Sequence, residues 1–307
     1  DAIYYVQQGS LETHVGGAGA IGAVDLPIVR EATTGLPFLP ETALKGVARD
    51  AAAAGPHGVG HVDDLFGPRG DGTDLRAGEL VFTQGHLLLY PLRCLQRPFV
   101  YATSSLLLSR LDRVTRAFGV ALPGQKEQDA WRSLLHDSDE VRVGSTFGPT
   151  ALVLEDSPFA TLVKDGDAAG PVGRLGALLA SWMPGDEGDT GKRIQADLVV
   201  LPDAALAAIV SRAAPVRARI RLDKGSGTTS GDDGNLWYEE MLPSDCLFWS
   251  VVSERDAKRQ LPKRPVETFS ADILPALRQT QIGGGASTGH GRIWWWAPGA
   301  TPPGGAR

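Results

Sequence analysis

Glycine and proline interrupt this chain so often, 38 and 21 times in 307 residues, that no single element can run long. Glycine weakens helix and strand interiors and proline removes a backbone donor, so the elements must be short and the connections many. Within those limits the apolar period keeps changing. Ala2–Gln7 reads as a strand, and Leu11–Val15 continues or ends it. A helix is expected from Thr42, as N-cap, through about Ala54, closed by Gly55 and Pro56. Gly55–Gly78 reads as a loop rich in Gly and Asp, and Glu79–Leu92 and Phe99–Ala102 as strands. Helical patterns start at Ser104 or Ser105 and end at Gly119, then recur at about Gln125–His136, at Asp203–Ala214 and, broken by Pro275, at Ala271–Thr280. Arg292–Trp296 is the last strand, and 297–307 reads as a disordered tail. Strands and helices interspersed with hairpins, in place of a strict βαβ alternation, predict an α+β fold with an antiparallel or mixed sheet.

Composition excludes several classes. No apolar run approaches the roughly 18 residues of a membrane span. Asp1–Gln7 shows no basic segment leading into a long apolar one, so no secretory signal is read there and the cytoplasm is the expected compartment. Cys94 and Cys246 stand far apart with no C-x-x-C pair, which fits buried small hydrophobes better than a zinc ribbon or a disulfide scaffold. The net charge of −6 argues against a nucleic-acid binder as a whole, but charge is patterned. Acidic residues cluster at Asp137, Asp139 and Glu140 and at Asp186, Glu187 and Asp189; basic ones gather from Arg212 to Lys224 and from Arg255 to Arg264.

Gly17-x-Gly19-x-x-Gly22 matches a dinucleotide fingerprint in form only, because Ala23-Val-Asp-Leu-Pro27 cannot supply the helix that the motif requires. His57-x-x-x-His61 with Asp63 and Asp64 suggests a metal, yet Gly58 and Gly60 disfavour the helix that would align the histidines. Lys45 and Arg49 share one face of the helix after Thr42. Lysine in a first turn opposes the helix dipole, so either Lys45 is a solvated surface residue or it holds a phosphate together with the helix amides. From Val216 to Leu222 the residues alternate, with Arg217, Arg219 and Arg221 on one face and Val216, Ala218, Ile220 and Leu222 on the other. Asn235–Leu242 supplies a second, aromatic strand across a polar Gly/Ser/Thr/Asp loop. This hairpin is either an ordinary edge or an arm that contacts phosphates and wedges apolar groups between bases. Gln281–Arg292 holds a glycine-rich loop whose bare backbone suits a curved polyanion.

These segments keep one order along the chain: His14–Gly19, Val24–Glu31, Leu36–Arg49, Leu87–Arg93, Tyr101–Arg110, Gly234–Pro243 and Gly283–Gly291. As an ordered set they resemble the RAMP superfamily of CRISPR–Cas systems, and within it the repeated backbone subunit of the type III-B, or Cmr, effector complex. The resemblance implies a modified ferredoxin-like palm of the RNA-recognition kind, with inserted fingers and a thumb hairpin at about 216–242, in a single domain spanning 1–296. It implies a metal-dependent endoribonuclease that works within the assembly, on a guide CRISPR RNA and its complementary target RNA, beside further copies of itself and other subunits. Asp25 matches the aspartate that carries cleavage and a divalent cation, expected to be Mg²⁺. His14, Gly16, Gly17, Gly19, Arg30, Lys45, Arg49, Arg217, Arg219, Trp237, Gly283, Gly284 and Gly285 match positions that contact RNA, with Glu239 and Glu240 as further candidates for catalysis. Two stretches depart from the family pattern: Pro40-Glu-Thr-Ala43 replaces a Pro-Gly-Ser-Ser helix entry, and Gln84-Gly85 stands where an acidic residue and alanine are usual. A non-cleaving scaffold of the same fold and a guide-processing endonuclease of the same superfamily are the rival readings.

Overall fold

The computed structural model describes residues 2–9, 11–17, 19–20, 22–55, 58–69, 76–119, 131–183, 188–229, 235–255, 261 and 263–297. Its centre is a mixed sheet whose middle strands are apolar on both faces. The strands that matter here are β1 (Ala2–Gly9), β2 (Leu80–Phe82), β3 (His86–Cys94), β4 (Arg97–Ser104), β5 (Val141–Val143), β6 (Leu152–Leu154), β7 (Ser157–Phe159), β8 (Leu162–Lys164) and β9 (Leu198–Leu201). They are followed by β10 (Val216–Arg221), β11 (Asn235–Glu240), β12 (Leu247–Glu254), β13 (Thr280–Gln281) and β14 (Arg292–Trp296). The main path runs β13-β14-β1-β12-β3-β4-β9-β5-β8, with β2 on β12 and the β6–β7 hairpin on β3. Pairing is antiparallel except where β9 lies parallel to β4 and β8 parallel to β5. The α+β reading with a mixed sheet is what the structure has.

Two apolar layers cover this sheet. On β12, Phe248 and Val252 enter one layer with Leu44, Leu80, Tyr90 and Phe269, while Leu247, Trp249 and Val251 enter the other with Leu88, Tyr101, Leu175 and Trp182. Burial on both faces is why Leu247–Val252 reads as a continuous apolar run and not as an alternation. The first layer is closed by α1 (Glu41–Ala54), whose Leu44, Ala48 and Ala52 recur every four residues and are buried. The second is closed by α3 (Ser105–Ala117), α4 (Pro171–Trp182) and α5 (Gly188–Asp197).

Several expectations need correction. Pro40, not Thr42, is the N-cap of α1, and it offers no side-chain cap. The expected loop at 55–78 contains a helix, α2 (Gly58–Phe66), held by buried Val62, Leu65 and Phe66. The helix expected at 125–136 appears as a 3-10 turn at Arg132–Leu135, its earlier part lying outside the described residues. The segment expected at 271–280 begins earlier, as a helical turn at Pro265–Thr268 that runs on through wider and tighter turns to Leu277. Ser104 does not cap α3 with its side chain. Asp203, opening α6 (Asp203–Ala213), caps it from another helix by accepting from the Leu106 N–H at 2.8 Å and from the Ser105 hydroxyl at 3.0 Å. Cys246 is buried as expected, whereas Cys94 is half-buried, its Sγ 3.3 Å from Gln96 Oε1. The tail expected at 297–307 lies outside the described residues apart from Ala297.

Candidate active site

Strands β10 and β11 form a separate two-stranded sheet in which Arg217 faces Glu239, Arg219 faces Trp237 and Ile220 faces Leu236. The arginine face is charge-neutralised. Arg217 forks onto Glu12 with bonds of 3.0 and 2.5 Å, and Arg219 Nε donates to Glu239 Oε2 at 2.8 Å while Trp237 Nε1 donates to Glu239 Oε1 at 3.2 Å. Burial alone would raise the Glu239 carboxyl, but the Arg219 and Trp237 bonds outweigh it and hold this carboxyl below the usual carboxylate range. The opposite face is bare: Val216, Ile220, Leu222, Leu236 and Tyr238 are 40–58% exposed.

The free edge of β11 organises what lies around it. Tyr238 accepts from the backbone N–H groups of Asp25 and Leu26 at 3.1 and 3.0 Å and donates its own N–H to Asp25 Oδ2 at 2.8 Å. Glu240 donates its N–H to the Leu26 carbonyl at 2.9 Å and accepts at its carbonyl from His14 Nδ1 at 2.8 Å. Residues 24–28 therefore run along β11 like a short extra strand, joined to it by the parallel Leu26–Glu239 bridge. The Glu240 side chain fastens the same segment further along, accepting from the Ile28 N–H at 3.0 Å and from Arg30 at 2.6 Å. Glu31, the next residue, ties it to α3 and to the segment between β2 and β3. It receives both arms of Arg110 at 2.6 and 3.0 Å, together with Gln84 at 2.9 Å and Thr34 at 2.7 Å. Burial raises the Glu31 carboxyl, but the Thr34 and Arg110 bonds more than reverse this and leave it lowered.

His14 completes the cluster from the other side. Its carbonyl accepts from the Gly284 N–H at 2.9 Å, and a Cβ at Gly283, which sits at φ +76°, would lie 2.1 Å from that carbonyl oxygen. Only glycine fits there. A Cβ at Gly17 would come within 3.0 Å of the Ile28 carbonyl, so the two loops approach backbone to backbone. Thus His14, Gly16, Gly17, Asp25, Arg30 and the Gly283–Gly285 loop meet around the end of β11, and Gly19 lies exposed in the same Gly16–Gly22 loop.

Among the described residues, Lys45 and Arg49 share no hydrogen bond or ion pair with that cluster. Arg49 is committed to the Asp63 carboxylate and the Gly67 carbonyl, and Asp64 to Arg76, so both acidic residues that follow His61 pair with arginines. His57 lies outside the described residues. Lys45 donates to the Leu80 carbonyl at 3.2 Å, its only hydrogen bond among the described residues. Burial, with Arg49 and Arg255 nearby, lowers its ammonium below the ordinary lysine value. Among the described residues no carboxylate pairs with this half-buried cation.

Of the three carboxylates at β11, Glu239 and Glu240 have both oxygens occupied, and Asp25 alone keeps one, Oδ1, without a partner among the described residues. No group of three His, Cys, Asp or Glu side chains among the described residues could cage a metal. One open carboxylate oxygen still suits Mg²⁺, which is commonly held by one or two carboxylates plus waters and substrate phosphates.

The RAMP superfamily model matches residues 12–294. The chain belongs to that superfamily. Among curated proteins it is similar to the CRISPR system Cmr endoribonuclease Cmr4 of Pyrococcus furiosus, 29% identical over 290 residues that cover 92% of this chain and 90% of that protein. Two solved structures share the fold of this RAMP protein. A chain of the type III-B Cmr-beta complex bound to cognate target RNA matches with a TM-score of 0.75 at 18% identity, covering 96% of each chain. Oligomeric Cmr4 from Pyrococcus furiosus matches at 0.69 and 20% identity, again over 96% of each. Sequence reading missed Glu12, which neutralises Arg217, and the Arg30–Glu240 pair. In both cases the partners are more than 200 residues apart, so no local spacing signals them.

Proposed function

We propose that this protein is the repeated backbone subunit of a type III-B CRISPR effector, binding guide CRISPR RNA and cleaving complementary target RNA as an endoribonuclease within the assembled complex. The observation that carries this reading is the Asp25 carboxylate. It is fastened through Oδ2 to the β11 backbone while Oδ1 stays open, in a RAMP chain similar over nine-tenths of its length to a Cmr endoribonuclease. Its partners are the two RNAs, further copies of itself and the other subunits of the complex. The cytoplasm is its place of work, and no helix among the described residues is long and apolar enough to cross a membrane.

The chemistry asks little of the protein. An RNA strand carries its own nucleophile, the 2′-hydroxyl, so catalysis consists chiefly of aligning that oxygen with the phosphorus and the leaving oxygen. The bare apolar face of the β10–β11 hairpin suits contact with base faces, and a base pushed out of its stack distorts the backbone towards in-line geometry. Asp25 is fastened to the edge of that hairpin, so the site and the distortion stay in register. Asp25 Oδ1 would hold a divalent cation, Mg²⁺ in this reading, which supplies neutralisation of charge developing on the phosphate. The Gly283–Gly291 loop, with left-handed glycines at 283, 285, 289 and 291 and an exposed backbone from Gly283 to Gly289, suits close approach to the guide backbone. Lys45 suits a phosphate. Arg30 and Arg49 serve as internal struts in this reading, because protein carboxylates already occupy them.

The test is Asp25→Asn in the assembled, guide-loaded complex. Cutting of end-labelled target with Mg²⁺ should fall at least about a hundredfold, with guide content and assembly unchanged. Normal cutting by this variant removes Asp25 from the mechanism. A complex that holds guide and target but never cuts would instead be a scaffold.

A further inference from the structure

We propose that Arg255, the residue after β12, and Lys45 of α1 hold one phosphate of the guide RNA between them, and that Gly46 lets that strand rest on the helix. The proposal rests on the reading above, to which it adds a second cation, a stoichiometry and a surface away from the cleavage cluster.

The basic stretch from Arg255 to Arg264 is a charged motif that the functional reading leaves without a task. Its described members differ in what they face. Lys263 donates to Asp272 at 3.2 Å, and Arg264 is paired with the Glu254 carboxylate. Lys258 and Arg259 lie outside the described residues. Arg255 is exposed, and among the described residues its guanidinium has no hydrogen bond or ion pair.

The same division runs along α1. Arg49, one turn after Lys45, is occupied by Asp63 and Gly67. Glu41, one turn before it, is exposed at the helix start and does not pair with Lys45, whose ammonium turns to the Leu80 carbonyl. The buried Glu79 side chain has a partner that is neither of these two cations.

Backbone pairing brings the two free cations together. The Arg255 N–H donates to the Glu79 carbonyl at 2.8 Å, and Lys45 Nζ donates to the next carbonyl along, that of Leu80, at 3.2 Å. Their anchor points are therefore one residue apart at the entry to β2, about 3.4 Å along the chain. Long stems can bring a guanidinium fork and an ammonium onto one phosphate, the group that both recognise. Burial lowers the Lys45 ammonium below the ordinary lysine range, Arg49 and Arg255 push it the same way, and no carboxylate opposes them. A phosphate set between Lys45 and Arg255 turns their repulsion into two attractions.

Gly46 is an independent sign of a ligand. It lies exposed inside α1, and a Cβ there would meet nothing within 4 Å. Glycine weakens a helix interior, and no neighbour in the protein requires it here. A strand lying against the helix beside Lys45 does. That strand is the guide and not the target, because the phosphate to be cut lies at Asp25 in this reading. Among the described residues neither Lys45 nor Arg255 bonds to the Asp25 cluster.

The test is filter binding of the full-length chain to single-stranded guide RNA across a salt series. Lys45→Ala and Arg255→Ala should each weaken binding by roughly 10- to 100-fold and lower the slope of log affinity against log salt by about 0.7. With one phosphate shared, the double variant should keep a slope lowered by about 0.7 and not about 1.4, and lose far less than the product of the single losses. Arg255→Lys, which keeps the charge, should restore the slope, and Arg264→Ala should bind like the unaltered chain. Gly46→Ala should raise the melting temperature, as alanine does in a helix, and still weaken guide binding. An Arg255→Ala chain with unaltered affinity and slope overturns the proposal, as does a double variant whose slope falls by about 1.4, which means two separate phosphates. A Gly46→Ala chain that is more stable and binds normally overturns the part given to Gly46. In the assembled complex at matched guide content, Arg255→Ala should bind complementary target normally; a loss confined to target binding places the phosphate on the other strand and overturns the assignment. If the unaltered chain binds no guide RNA, alone or in the complex, the functional reading itself fails.

Discussion

Removing the Glu240 carboxylate should cost this protein more stability than any change on the hairpin surface. Arg30 and Glu240 are 15% and 11% exposed at the side chain and 2.6 Å apart, and the second carboxylate oxygen accepts from the amide of Ile28, itself 2% exposed. Glu240→Ala leaves a guanidinium with no counter-charge and a buried N–H with no acceptor. Breaking a buried pair by deleting one partner costs roughly 3–5 kcal/mol. Arg30 keeps the Gly35 carbonyl at 2.9 Å and a longer contact to Val210 at 3.4 Å, which argues for the lower end of that range. The orphaned Ile28 amide adds about 1 kcal/mol, for a total of about 4 kcal/mol. At a urea slope of about 3 kcal/mol per molar the unfolding midpoint should drop by a little over 1 M, read by tryptophan fluorescence. Arg30→Met with Glu240→Met removes both charges and should recover most of the loss, because a buried pair is expensive to break and cheap to replace by apolar side chains. Cutting should slow in Glu240→Ala, since the segment carrying Asp25 loses its fastening, while guide binding through the glycine loop persists. A destabilisation under 1 kcal/mol, or a double variant no more stable than the single one, would refute the reasoning.

Lys45→Ala should weaken guide binding whatever the guide sequence and lower the slope of log affinity against log salt by about 0.7, measured by filter binding across a salt series. An unchanged slope would make Lys45 a plain surface residue. His86 gives the protein an acid sensitivity. Burial, with Arg110 adding to it, drops its pKa to about 4 from 6.5 although Glu31 pulls the other way, and the neutral ring lies on Trp249 with centroids 4.6 Å apart. The unfolded chain therefore binds a proton below pH 6.5 that the folded chain refuses until about pH 4, so stability from this residue is full above 6.5 and falls as pH drops through that window. The span corresponds to about 3 kcal/mol, and His86→Phe, which keeps the ring on Trp249, should flatten the stability–pH curve there.

Legibility from sequence followed the range over which each residue finds its partners. The β10–β11 hairpin was readable because alternation and a polar loop are local, and α1 because Leu44, Ala48 and Ala52 recur within one helix. α4 buries Val172, Leu175, Leu178, Leu179 and Trp182 along one face, yet Gly173 and Gly176 inside it each cost a helix about 1 kcal/mol and hide it from a local reading. α2 reads as a loop because Gly58 and Gly60 each cost a helix about 1 kcal/mol, a penalty that the burial of Val62, Leu65 and Phe66 overrides. Asp25 stood out only through family resemblance. Its hydrogen bond to Tyr238 spans 213 positions, and no spacing encodes it. The pairing of Arg217 with Glu12 is equally illegible in the sequence, because the two lie 205 residues apart.

The most direct measurement is the cut pattern on a long complementary RNA, resolved on a sequencing gel with the complete guide-loaded complex. Identical copies related by one rotation and rise present the β10–β11 hairpin and Asp25 at the same offset along the RNA. Cuts should therefore fall at several positions separated by one constant interval, independent of local sequence, and all of them should vanish together with Asp25→Asn. A single cut, cuts that track base identity, or a ladder that survives Asp25→Asn would contradict the account.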